Sequence, residues 1–165
     1  VAGYAGDVKG DGITGLPRAV LMAGYKDTSS SDAVYMLDWY AYGIGKVPAK
    51  VATTYQNISD AWSLLIDQKW HDRITAIKAN DGGLSYVEFF EYRKNKMSIP
   101  LFNIYCATGS NREYYAERTD LIQLGQTTQA IYFAKLTNEG EQSELALTGD
   151  EIKARFSLVN QAWNN

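Results

Sequence analysis

The hydrophobic rhythm of the chain changes near residue 100, and the change predicts two unlike halves. In the first, apolar residues recur at helical spacing. Thr14 caps a short helix with Pro17 in its first turn and Leu16, Val20 and Leu21 inside, ended by Gly24. Ser31 caps a second, about 32–43, in which Val34, Leu37 and Ala41 form a stripe at i, i+3, i+7. Tyr35, Trp39 and Tyr42 form another stripe beside it. A third helical stretch covers about 49–57, and Ser59 then caps a longer helix with Trp62, Leu65, Ile74 and Ile77 facing inward. Asn80-Asp81-Gly82-Gly83 closes it. Ser85 and Glu88 have capping-box spacing ahead of a helix over 86–96, whose last turn holds Arg93, Lys94 and Lys96 and which Pro100 forbids to continue.

From Leu101 the period becomes two. The runs 101–106, 113–124 and 130–134, separated by Gly109-Ser110-Asn111 and by Gly125, predict a three-stranded antiparallel meander over about 101–136. One face of such a sheet needs a cover. Thr148-Gly149-Asp150-Glu151 opens a final helix, 149–163, with Ile152, Phe156, Val159 and Trp163 on one side. The expected fold is therefore α+β, with an N-terminal helical half (about 14–96) packed on the meander and the last helix. It is expected to be a single domain, 1–165, with 1–13 as an extended arm or loop.

Composition narrows the function classes. A chain of 165 residues can bury about two thirds of its surface without disulfides. Sixteen basic against nineteen acidic residues, net −3, argue against a nucleic-acid surface. No run approaches the roughly 20 apolar residues of a membrane helix, so membrane insertion is not expected. The chain opens on Val1 rather than Met, which fits a processed protein and slightly favours a secreted or assembly-associated location.

A cysteine nucleophile needs a base, and the chain offers one pair, Cys106 and His71. Cys106 sits in an apolar strand, where a small buried thiol is the simpler reading; His71, between Trp70 and Asp72, reads as a solvent-edge side chain. Paired carboxylates are the other acid–base option: Glu88 and Glu91 at i, i+3 on one predicted helix, and Asp67 with Asp72. A solvated helical face explains both pairs equally.

The best metal reading is calcium. Asp81-Gly82-Gly83-Leu84-Ser85-Tyr86-Val87-Glu88-Phe89 resembles the second half of an EF-hand loop, with Gly at the turn and a closing Glu. The standard register puts Ile77 and Ala79 at ligand positions. A longer variant loop of small EF-hand sensors, counted from Thr75 to Glu88, would bind through the backbone carbonyls of Thr75, Lys78 and Gly83 with Asp81 and Glu88. A weaker resemblance, to a calcium loop or dockerin-type repeat, lies at Asp7-Val8-Lys9-Gly10-Asp11-Gly12, where Lys9 and Arg18 replace oxygen ligands.

Twelve Tyr and four Trp exceed what core stripes need. Tyr35, Trp39, Tyr42, Tyr114 and Tyr115 are candidate contact residues, since both side chains pair rigid apolar area with a polar tip. The reading is a non-enzymatic interaction or structural protein, a subunit of an extracellular or viral assembly, with a protein partner or self-association and a candidate calcium loop. Its rivals are a hydrolase using Cys106 and His71 or paired carboxylates, and a carbohydrate-binding module using exposed Tyr and Trp.

Overall fold

The segments read as helices before residue 96 are strands. The computed structural model describes residues 5–29, 31–81, 83–110 and 112–159. It has 49% strand and 12% helix, in two antiparallel sheets of five strands each, so the expected N-terminal helical half is corrected to β-structure. In chain order these are β1 (Leu16–Leu21), β2 (Tyr35–Ala41), β3 (Ala49–Asn57), β4 (Trp62–Leu65), a 3₁₀ turn (Gln68–Trp70), β5 (Ile74–Asp81), β6 (Leu84–Arg93), β7 (Lys96–Thr108), α1 (Arg112–Ala116), β8 (Ile122–Gln126), β9 (Ala130–Leu136), α2 (Asn138–Glu141), α3 (Gly149–Arg155) and β10 (Phe156–Leu158). The first sheet runs β1-β2-β3-β4-β10 and the second β5-β6-β7-β9-β8.

Burial of both faces explains the misreading of β2. Met36 enters the core between the sheets while Leu37 and Trp39, on the opposite face, are also buried. With no polar face to break the run, apolar residues fall at i, i+3, i+7 by coincidence, and the period cannot separate helix from strand. Thr53, Thr54 and Tyr55 in β3 are β-branched or aromatic, side chains that suit a pleated surface. The helix expected over 86–96 is β6, and its basic last turn is a hairpin. Lys94 and Asn95 have φ of 52° and 59°, the pair of positive angles that a type I′ turn requires.

Strands do lie at 101–106 and 130–134, within β7 and β9, but the meander does not form as expected. Residues 112–116 are helical, and β8 pairs with the far side of β9 instead of lying between β7 and β9. The capping box at 148–151 is present: Thr148 Oγ accepts from the Glu151 amide, and Glu151 accepts from the Thr148 amide at 2.7 Å. The helix it opens ends at Arg155, because Phe156–Leu158 pairs with β4. Trp163, Gly82 and Asn111 lie outside the described residues.

The sheets face each other across one core. Tyr55 meets Phe89 edge-on at 5.4 Å, Phe89 stacks on Phe102 at 4.8 Å, and Phe156 stacks on Trp62 at 5.9 Å. Leu145, Leu147 and Ile152 join the same cluster. Trp70 is anchored there by its indole N–H, which donates to the Leu145 carbonyl at 2.8 Å. Among the described residues, no helix is long and apolar enough to cross a membrane.

Candidate functional site

The β2–β3 hairpin loop carries the most exposed apolar side chains. Its sequence, Tyr42-Gly43-Ile44-Gly45-Lys46-Val47-Pro48, alternates glycine with bulky residues; Gly45 adopts φ +70°, and the Lys46 amide closes a turn on the Gly43 carbonyl at 3.0 Å. Ile44 is fully exposed, Val47 is 88% exposed and Tyr42 62%. Ten large apolar side chains are exposed among the described residues, and five of them, Ile13, Leu16, Tyr42, Ile44 and Val47, belong to this loop or to the entry of β1. Leu16 lies opposite Tyr40, so β1 enters beside the tip. Clustered apolar exposure on a convex tip marks a contact surface more than scattered exposure does.

A cleft of about 300 Å³ opens at the other end of the same strands. Ala33, Val34 and Tyr35 line one wall, Gln56, Ile58 and Ser59 another, and Lys78 of β5 reaches in from the second sheet. Tyr55 also lines it, and its hydroxyl is the one buried side-chain N or O atom without a hydrogen-bond partner among the described residues. Burial, with Asp60 and Tyr25 nearby, pushes that phenol far above its ordinary range. Beside the cleft a polar bracket fixes the β3–β4 turn to the second sheet. Asp60 accepts from Asn57 at 2.8 Å and from the Ser85 hydroxyl at 2.6 Å, while the Tyr132 hydroxyl donates to the Asp60 carbonyl at 2.8 Å. These bonds explain Ser85 without a helix cap.

The candidate catalytic residues are not brought together. Cys106 is buried on β7 between Ser85 and Tyr132, and burial with nearby Asp60 pushes its thiol up to about 11. Such a thiol is protonated and inert at neutral pH. His71 is exposed at the edge of a second cleft, about 640 Å³, with Lys50, Thr53, Asp67 and Gln68. Its Nδ1 lies 3.0 Å from Asp72. β5 begins opposite Glu91 and Cys106 pairs with Ser85, so six residues of β6, roughly 20 Å of strand, separate the two ends.

The carboxylate pairs are also taken apart. Glu88 faces Asn103 on the outside of the second sheet, at 3.4 Å, whereas Glu91 is buried and accepts from Arg93 Nε at 2.8 Å and Ser143 Oγ at 3.1 Å. Asp67 binds Arg155 at 2.5 Å and caps the 3₁₀ turn through the Lys69 amide. Two residues lining the second cleft, Thr53 and Lys50, are engaged by Asp38, which accepts from Thr53 at 2.6 Å and pairs with Lys50 at 2.7 Å. These charged groups are spent on each other.

The proposed calcium loop is a hairpin. Thr75 lies buried opposite Phe90, Lys78 opposite Val87, and Glu88 opposite Ile77, while Asp81 and Gly83 flank the β5–β6 turn. The flanking helices of an EF-hand are replaced by β5 and β6, so the segment is a strand–turn–strand unit. Among the described residues no three His, Cys, Asp or Glu side chains converge. In the second resemblance, Asp7 folds its own loop: its carboxylate accepts from the amides of Gly10 at 2.8 Å and Gly12 at 2.7 Å.

The aromatic candidates divide. Trp39 is buried, donating from Nε1 to Thr54 at 2.9 Å, and a methyl added at Gly15 would lie 3.1 Å from its Cβ. Tyr35 lines the smaller cleft and Tyr42 stands on the tip. Tyr114 is exposed on α1, while Tyr115 packs against Ala107, Ile131 and Phe133. Ile44 and Val47 were not among the sequence candidates, although Ile44 set between Gly43 and Gly45, and Val47 before Pro48, were the available turn signal. Half-buried Tyr86 and Tyr105 were missed too; their rings lie 5.4 Å apart, with Asn103 donating to the Tyr105 hydroxyl at 2.9 Å. Comparison with family models, curated proteins and solved structures finds no match.

Proposed function

We propose that this protein is a non-enzymatic interaction module, a structural subunit that works through its surface, with the β2–β3 tip as its principal contact. The observation that carries this reading is the concentration, among the described residues, of half the exposed large apolar side chains at one end of one sheet. Leaving such a tip in water forfeits burial that a partner would supply, at about 1.5–3 kcal/mol for each large aliphatic side chain. The charge pairing in the larger cleft and the inert thiol of Cys106 favour this reading over the hydrolase. A photo-crosslinking residue in place of Ile44, with one in place of exposed Lys153 as control, tests it in the cells that make the protein. Discrete adducts from position 44 and none from 153 are expected; equal or absent labelling at both would sink the reading.

A carbohydrate-binding module is the second reading, favoured by Tyr86 and Tyr105 on the outer face of the second sheet with Asn103 and Glu88 beside them. Sugars stack their C–H faces on such rings and bond to such edges. Glycan-array binding that Tyr105→Ala abolishes would support it, and no binding to any glycan would remove it.

A further inference from the structure

We infer that the free edge of β5, beside the smaller cleft, docks an extended segment of a partner polypeptide that carries a carboxylate and an aliphatic side chain two residues apart. The site does not depend on the tip: the cleft is lined where β2 begins and β3 ends, whereas the tip joins Ala41 to Ala49. β5 pairs with β6 alone, so its other side is a sheet edge. The ladder fixes which groups face that edge. The Tyr92 amide donates to the Arg73 carbonyl at 2.7 Å, so Arg73 and, at every second residue, Thr75, Ile77 and Ala79 bond inward to β6. The N–H and C=O of Ala76, Lys78 and Asn80 therefore point away from the sheet. The Tyr25 hydroxyl agrees with this parity, since it donates to the outward Ala76 carbonyl at 2.6 Å and stands in for a missing strand there. Lys78 and Asn80, further along, are exposed, and among the described residues nothing bonds to their outward groups.

The chemistry of this rim selects its occupant. Unpaired amides and carbonyls in a row are complemented by another extended backbone, as in β-strand addition. Lys78 shares a face of β5 with Ile74 and Ala76, which enter the core, so its side chain follows theirs towards the first sheet and lines the cleft. It is the one charged residue in that lining, and among the described residues it has no ion pair. A lysine on an edge strand discourages indiscriminate pairing. The same charge favours a strand that sets a carboxylate directly opposite, as cross-strand pairs of opposite sign do. Side chains two residues along that strand share its face and meet Ala33, Val34 and Ile58 in the cleft of about 300 Å³, which has room for an aliphatic group.

The test uses the purified full chain and a fluorescein-labelled peptide, Thr-Val-Thr-Glu-Thr-Val-Thr, whose valines share a face with the glutamate in either chain direction. Fluorescence anisotropy is expected to show saturable binding. Lys78→Glu should weaken it about tenfold or more, and a peptide with lysine in place of glutamate should bind that variant about tenfold better than it binds the wild type. N-methylation of the glutamate amide, which removes a backbone donor, should also cost about tenfold. In the free chain the Lys78 and Asn80 amides should exchange quickly with heavy water and those of Ile77 and Ala79 slowly, and bound peptide should slow the first pair. No saturable binding at millimolar peptide overturns the inference, as does binding that survives both Lys78→Glu and N-methylation, or Lys78 and Asn80 amides already protected in the free chain. Circular dichroism checks the fold of the variant; should it misfold, the lysine and N-methylated peptides against the wild type carry the test. Crosslinking at position 44 is untouched by these results, so the tip reading stands or falls separately.

Discussion

Glu91→Ala should lower the unfolding free energy by about 2 kcal/mol, because the buried Glu91 carboxylate brackets neighbouring side chains. Its side chain is 1% exposed and accepts hydrogen bonds from Ser143 and from two nitrogens of Arg93, with Arg73 at 3.9 Å behind. Truncation strips the half-buried Ser143 hydroxyl of its acceptor, which costs about 1 kcal/mol. It also removes one buried methylene, at about 0.8 kcal/mol. Arg93 and Arg73 are 52% and 42% exposed, so water recovers most of their loss and the ion pairing adds only about 0.5 kcal/mol. Glu91→Gln keeps the methylenes and the bond from Ser143, and should cost about 1 kcal/mol. Urea unfolding with an unchanged m-value reads both directly. At about 2–4 °C per kcal/mol for a chain of this size, Glu91→Ala should melt roughly 4–8 °C lower. Equal losses for the two variants, or a loss below about 0.5 kcal/mol for Ala, would refute the reasoning, since either result would mean that neither packing nor Ser143 matters at this position.

Gly140→Ala should destabilise by about 2 kcal/mol or more in the same assay, because a Cβ there would collide with the Leu101 carbonyl and lie 2.7 Å from its Cα; a neutral result would mean that α2 does not pack on β7 as described. Leu64, fully buried, should cost about 3 kcal/mol or more on truncation to Ala, whereas Ile44→Ser with Val47→Ser should leave monomer stability within about 0.5 kcal/mol, being exposed. The Cys106 thiol, raised from 9.0 to about 11, and the Tyr132 hydroxyl, raised from 10.0 to about 12, hold their protons more tightly when folded. Their contribution is complete below pH 9 and is lost as pH climbs from 9 towards 12, so the melting temperature should fall over that range. Cys106→Ala should flatten the fall between 9 and 11, and Ellman's reagent at pH 8 should label Cys106 only after denaturant is added. Rapid labelling of the native chain would place the thiol outside the core.

What the sequence by itself determined was local. Thr148 and Glu151 satisfy each other's amides within four residues, so their capping box could be read directly, and the runs in β7 and β9 could be read as strands because they are short apolar runs bounded by glycines and turn residues. Whether 14–96 was helix or strand could not be read in the same way. Trp39 is buried under chain that includes Gly6 and Gly15, more than 20 residues away, and that cover helped erase the polar face that distinguishes the two periods. The same ambiguity misplaced the chemistry: residues at i, i+3 share a face on a helix but not on a regular strand, so Ser85 bonds to Asp60 in the turn while Glu88 faces outward to Asn103. Tertiary structure alone decided which strands pair, since those hydrogen bonds join residues far apart in sequence. It also decided that Ile44 and Val47 would find no cover within their own molecule.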